Sequence, residues 1–575
     1  MKNKLWLLCL PLLCVSCSDD EVITPTSTET QEVPVANVVC TIGKKIDDPY
    51  NIDNMRKAYR KLYASNNGVT HESEIQPTHK YLRFLPKDEE EYNMLRNDTT
   101  IEWFDYPLHY EAPDGMGSYH DPAIPADKPT YQYCVLPIDK AEPNVYYELI
   151  YECYFPDTEE KENDGKLYAA KKHSVKFNQS LELEALKLTN HLPQNYTLDS
   201  LNALEASRFT PYGYIMLYDN YLKREVPLRH VKVKIQTATR YETLWTDKNG
   251  YYKSKNNYQL KASRKVVWEA SEWDIRDGAT SQASYTSSSS KNERWDWHIS
   301  DTCKNKPHCH YAYTHRALMQ TIDRGNEHLD LPDFGGKLKI RVIDDKNPEK
   351  DLGTTKARRI RWGEWSIGSD IKLWTYYDGS NPKSRVDPVE FISTTCHELG
   401  HAIHASKVSK DVFKAQRCDI TEAWAELIGW YMTRAEYNYY YSEFPNDGYS
   451  YLSETDFYPN RIMIGWPYDY TKDSTDINYS PVFVDLMDEI NQQKSYILTY
   501  SIYTSNNLTS SYYLCRPNDN VSFYLLKEIQ EMVENGVTSY KDIYDWVLKK
   551  PKKNKKEDID ELFKTYIKFN NPKKY

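Results

Sequence analysis

One stretch constrains this chain more than any other: SRVDPVEFISTTCHELGHAIHAS, residues 384–406. Asp387 is suited to cap a helix whose first residue is Pro388, and Glu390 stands at its third position, as in a capping box. Val389, Ile392, Cys396, Leu399 and Ile403 recur every three or four residues, the stripe that a helix lays on a core. On such a helix His397 and His401 differ by about 40° in azimuth and about 6 Å along the axis. They share a face rotated away from the stripe, the geometry that one divalent metal requires of two imidazoles. Glu398 stands beside them, placed to take a proton from a bound water.

A metal site of this kind needs a further protein ligand and an open position. Downstream, Thr421 suits an N-cap, and Glu422 and Glu426 are spaced to share one helical face. Both are candidate ligands. The run His397-Glu398-Leu399-Gly400-His401, with Glu422 following at about twenty residues, resembles the gluzincins, the thermolysin-like class of zinc metallopeptidases. The resemblance implies Zn²⁺ held by His397, His401 and Glu422, with Glu398 as general base and a peptide or protein as substrate. It also implies that Glu426 binds His397 from outside the ligand set. Thermolysin-like enzymes use a downstream histidine to stabilise the oxyanion, and no histidine follows His404 here. Other gluzincins use a tyrosine just before an apolar helix, and Tyr479, ahead of the run Ser480–Met487, fits that placement. The longer metzincin motif requires Gly and His where this chain has His404 and Lys407, so that reading fails. His404, one turn beyond His401 on the same face, is expected at the edge of the cleft or on the surface, with a second metal as the alternative.

The N-terminus reads as an address. Lys2 and Lys4 precede an apolar run, Leu5–Val15, too short to span a bilayer as a helix. Cys14-Val15-Ser16-Cys17 resembles a bacterial lipobox, which implies cleavage after residue 16 and lipidation of Cys17. Ser18-Asp19-Asp20-Glu21 is similar to the acidic signal that sends some Gram-negative lipoproteins to the cell surface. The expected place is therefore the outer membrane, facing the exterior, with the periplasm as second choice. Residues 17–39 read as a flexible tether. Eight cysteines remain beyond Cys17, an even number that permits disulfides without assigning them. Cys303 and Cys309 are the plausible local pair, and no CxxC pair occurs among the eight.

The expected fold class is multidomain α+β. A small α/β domain spans 40–205, with helices over Asn51–Ala64 and Lys87–Asn97 and strands over His79–Leu85, Tyr131–Ile138 and Val145–Phe155. A second part spans 206–290. Its pattern Gly213, Pro227-Leu228, Val231, Val233, Thr246-Asp247, Gly250, Tyr252 resembles the carboxypeptidase-regulatory-like, transthyretin-like β-sandwich, and Asn249-Gly250 signals a hairpin. Ala279–Lys291, rich in Ser and Thr, reads as a linker. The third part, 291–575, is expected to be a zincin-like metallopeptidase domain, a mixed sheet with a helical C-terminal lobe. It holds a helix over Tyr311–Ile322 and strands over Lys337–Ile343 and Ser369–Tyr377, the last suited to an edge along which extended substrate adds.

Composition narrows the function. A net charge of -11 disfavours a general nucleic-acid binder. A mean hydropathy of -0.77 and the lack of any apolar run of 18 or more residues exclude a polytopic membrane protein. Lys549–Lys556 carries six lysines in eight residues, but Glu557, Asp558, Asp560 and Glu561 follow, so a solvated interhelical loop is expected. His308-Cys309-His310 lacks a spacing partner and reads as structural. The expected function is a surface-anchored zinc metallopeptidase. Its rivals are a zincin-scaffold binding protein or adhesin without turnover, and a peptidase specific for glycosylated proteins.

Overall fold

The computed structural model describes residues 42–63, 74–156, 174–195, 208–300, 307–328, 337–346, 353–355, 370–377, 384–409, 412, 415–416, 418–452, 480–491 and 518–568. The protein is mixed α+β, and the chain divides into two compact units. Glu29–Tyr218 with Arg224–Asp301 form one; Asp219–Lys223 with Thr302–Tyr575 form the other.

The first unit begins with helix α1 (Ile52–Tyr63), strand β1 (His79–Phe84) and helix α2 (Glu89–Asn97), followed by β2 (Gln132–Pro137), β3 (Tyr147–Cys153) and helix α3 (Val175–Leu188). Asp88 caps α2 by accepting from the Glu91 N–H, and three glutamates fill its first turn, where the helix dipole favours them. The strands form an antiparallel sheet in the order β2-β1-β3. Residues 208–300 build two further sheets. One consists of β6 (Lys232–Thr237), β7 (Arg240–Trp245), β9 (Ser263–Val267) and β11 (Ser284–Thr286), in the order β11-β9-β6-β7. The other joins β12 (Trp297–Ile299), β4 (Tyr212–Asp219) and β5 (Arg224–Pro227), with β8 (Tyr251–Lys253) added to β4; β10 (Trp273–Arg276) lies between β9 and β11 in sequence. Buried ion pairs tie the α/β layer to the first of these sheets: Lys265 Nζ lies 2.6 Å from Asp105 Oδ1, and Lys232 and Lys234 each lie 2.9 Å from Glu102 Oε2.

Two expectations change here. The Asn249-Gly250 turn forms, with Gly250 at φ 73 and the Asp247 carboxylate accepting from the Asn249 and Tyr251 N–H groups. It does not close a hairpin, because β8 leaves β7 and pairs with β4. A Cβ on Gly250 would lie 2.5 Å from Ile215 O, so the crossing requires glycine. The true hairpin joins β6 to β7 through Ala238-Thr239, with Ala238 at φ 49. The Ser/Thr-rich stretch expected as a linker contains β11, whose Ser284 and Thr286 are buried against β9.

The second unit holds helix α4 (His308–His328), β13 (Leu338–Ile343), β14 (Gly353–Thr355), β15 (Ile371–Trp374), α5 (Pro388–Lys407), α6 (Cys418–Glu443), α7 (Val482–Asp485), α8 (Leu526–Glu534), α9 (Tyr540–Lys549) and α10 (Lys556–Lys568). β15 runs parallel to β13 and antiparallel to β14. The strand expected at the edge is therefore interior, and β14 takes the end of the order. Beneath the strands, α5 packs against α4 and α6. At the far side of α4, Arg316 is fully buried: Nη1 lies 2.6 Å from Asp219 Oδ2 and Nε 2.8 Å from Glu436 Oε1. Tyr437 donates to the same Asp219 oxygen at 3.2 Å. Among the described residues no helix is long and apolar enough to cross a membrane.

Candidate metal centre

The helix that carries the histidines starts as its sequence dictates. Asp387 Oδ1 accepts from the N–H groups of Val389 (3.1 Å) and Glu390 (3.0 Å), and Pro388 occupies the first turn. Its burial exceeds the expected single stripe. Phe391, Ile392, Cys396, Leu399 and Ile403 are buried, and so are His397, Glu398 and His404. α4, α6, β14 and β15 all pack against α5, and His401 is only partly buried.

The acids come from α6. That helix begins at Cys418, so Thr421 lies inside it and is buried instead of capping it. Two glycines bring the helices together. A Cβ on Gly400 would lie 3.0 Å from Ala425 Cα, and one on Gly429 would lie 3.1 Å from Ser393 O. Trp424 fixes the crossing by donating its indole N–H to the Gly400 carbonyl at 2.9 Å.

At this crossing His397 Nε2 and His401 Nε2 stand 3.2 Å apart. Glu422 Oε2 lies 3.2 Å from the first and 3.3 Å from the second. Two imidazole nitrogens and a carboxylate oxygen thus form a near-equilateral triangle. Donors bound tetrahedrally at ~2.0–2.1 Å stand about 3.3 Å apart, so the triangle has the dimensions of a ligand face. Among the described residues His397, His401 and Glu422 are the group that could hold a metal ion. Glu426 lies outside the triangle, with Oε1 3.1 Å from His397 Nδ1. Both sequence candidates on α6 are therefore at the centre, Glu422 among the donors and Glu426 behind His397.

The electrostatics favour a cation in the triangle. Burial alone would lower the His397 imidazole, but hydrogen bonding to Glu422 and Glu426 outweighs it and holds the group up at about 10. Burial also opposes a charged His401, yet the Glu422 charge raises it. Burial would raise Glu422, and the charge of His401 with hydrogen bonds from both imidazoles pulls it well below the usual carboxylate range. Glu398 is buried one residue from His397, and its charge also raises His401.

His404 is buried, not at the surface, and stands outside the donor group. Burial first, then the charge of His401, pushes its imidazole down to about 3, against a hydrogen bond to Gln416. Gln416 is anchored in turn to the Val537 carbonyl at 3.0 Å. Tyr479 and Cys17 lie outside the described residues. Cys309 is disulfide-bonded; Cys303, its expected partner, also lies outside them. Cys134, Cys153 and Cys396 are free and buried. His310 is a core histidine, its Nε2 3.2 Å from the Val386 carbonyl. Sequence reasoning missed Trp424 and Gly429. Gly429 falls seven residues after Glu422, two helical turns along the same face, where a small residue marks a close crossing.

No protein family matches the chain, and no curated protein does. Among solved structures, a 9R-lipoxygenase from Cyanothece PCC8801 aligns with a TM-score of 0.10 and 12% identity. The alignment spans 23% of this chain and 26% of the lipoxygenase. Similarity at that level carries no argument about fold or chemistry. The centre stands on its own residues.

Proposed function

We propose that the protein is a zinc-dependent metallopeptidase of the gluzincin type, anchored to the outer membrane through Cys17 and acting on peptide or protein substrates outside the cell. The observation that carries the reading is the triangle of His397, His401 and Glu422 with a buried glutamate, Glu398, next to it in sequence. Two imidazoles and one carboxylate are a zinc donor set that leaves a position open, as catalytic sites do. Zinc held there supplies Lewis acidity, making a water nucleophilic near neutral pH and polarising the carbonyl it meets.

The chain's own groups do the rest. Glu426, facing His397 Nδ1, holds the proton on that nitrogen and so leaves the Nε2 lone pair for the ion. Glu398 accepts the proton of the attacking water and returns it to the leaving amine. Among the described residues β14 ends its sheet, and packed on α5 it would offer an extended peptide a strand to pair with. Tyr479 remains the candidate for steadying the oxyanion.

The deciding experiment measures metal content by elemental analysis alongside cleavage of a diverse peptide library. One zinc per chain is expected, and Glu398→Gln should keep that zinc while cleavage drops about 10²–10⁴-fold. A zinc-loaded Glu398→Gln protein that cleaves at the parental rate would refute the assignment.

A further inference from the structure

The lysine run enters none of the chemistry above, yet the fold places it beside an unusual piece of backbone. Phe523 has φ 75, in the left-handed region, which is a genuine outlier for a bulky side chain. It is 51% exposed, and Leu525 is 65% exposed. The segment is firmly held. Val521, Tyr524 and Leu526 point inward and are buried. Tyr524 N–H donates to the Leu486 carbonyl at 3.1 Å, and its hydroxyl donates to the Lys550 carbonyl at 2.7 Å. The Asn554 side chain grips Ser522 on both sides, accepting from its N–H at 3.1 Å and donating to its carbonyl at 2.9 Å. Leu525 N–H donates to Glu528 Oε2 at 3.0 Å. Glycine at 523 would remove the strain. The fold instead keeps a strained aromatic and presents it to solvent.

The same bonds tie the tip to the lysines. Lys550 pairs with Glu531, Lys552 with Glu528 and Lys556 with Asp560. Lys553 Nζ lies 5.7 Å from the centre of the Phe523 ring. Among the described residues Lys549, Lys553 and Lys555 have no carboxylate partner, so their charge is available to a ligand. Two protruding apolar side chains do not make the broad complementary surface that a protein interface needs. Ammonium groups around an apolar wedge do match the boundary of an anionic bilayer, where rings enter among the acyl chains and lysines reach phosphates.

We propose that Phe523 and Leu525, with the adjoining loop of lysines, dock the protein on an anionic lipid surface. The test uses the full chain with vesicles of phosphatidylcholine alone and of phosphatidylcholine mixed with phosphatidylglycerol. Co-sedimentation is expected with the mixed vesicles and to weaken with salt. Phe523→Gly should weaken it about tenfold while leaving the thermal midpoint unchanged or raised, which separates lost docking from lost folding. Lys549, Lys553 and Lys555 changed together to Gln should weaken it at least about tenfold. The apolar run Leu5–Val15 is common to parent and variants, so the differences between them carry the result. As a direct reading, Leu525→Trp should gain blue-shifted emission that a bilayer-embedded nitroxide quenches. Equal sedimentation of parent and variants, or a new indole emission untouched by the quencher, would overturn the proposal. So would a Phe523→Gly protein that changes its oligomeric state but binds vesicles as the parent does.

Discussion

Glu426 faces the candidate centre across the far nitrogen of the His397 ring. Exchanging it for Gln keeps the three donors but removes the charge 3.1 Å from His397 Nδ1. Metal affinity should fall about 10–100-fold, as read by competition with a chelator, with one metal per chain at saturation. Equal affinity in the two proteins would make Glu426 a bystander. In the other unit, burial, then the Arg240 charge, pushes His79 down to about 4. Burial, then Lys45 and Arg83, does the same to His109. Unfolded imidazoles titrate near about 6.5, so below that pH the unfolded chain binds more protons. The stability these residues contribute is complete above about pH 6.5 and is lost as pH falls towards about 4, on the order of 1–3 kcal/mol for each. Denaturant midpoints measured across that window should fall with pH, and replacing both with Gln should flatten the slope; identical slopes would contradict it. The donors were legible because helix spacing is local: four residues place His397 with His401 and Glu422 with Glu426. His404 was not legible, because its burial depends on Gln416 and Val537, far along the chain.

The crossing of α5 and α6 decides whether the donors meet. Gly400→Ala places a methyl 3.0 Å from Ala425 Cα, backbone that cannot rotate away. The helices must part slightly, which should cost about 1–3 kcal/mol and draw Glu422 away from His401. A lower thermal midpoint together with weaker metal binding is expected; loss of neither would show slack at the crossing. At this scale periodicity gave α1, β1, α2, β2 and β3 nearly in place, since each buries one face against near neighbours. Pairing was harder to read. The Asn-Gly turn marks a reversal, but which strand receives the chain depends on Gly250 passing the Ile215 carbonyl. β15 looked like an edge because its residues alternate, and only its pairing with the short preceding strand β14 makes it interior. β11 was hidden because Ser and Thr serve strands and linkers alike.

The two units give the whole molecule a simple thermodynamic signature. A ligand that binds only one folded unit stabilises that unit by about 2.7 kcal/mol at a hundredfold excess over its dissociation constant. Calorimetric scans with and without a chelator should therefore move the transition of the Thr302–Tyr575 unit and leave the other in place. A shift shared equally by both would mean that they unfold as one.

Asp219 has a consequence for how the protein is made. It belongs with the unit that begins at Thr302, although the chain returns at Arg224 to the other unit. A ribosome releases this carboxylate 97 residues before the arginine it serves. The half that carries the candidate metal centre therefore draws one buried carboxylate from outside its own continuous stretch of chain. A fragment cut at residue 302 would bury the Arg316 guanidinium with one carboxylate missing, a loss on the order of 3–5 kcal/mol. Moving that half into another protein by end-to-end fusion would leave Arg316 short of this partner unless another acid replaced Asp219.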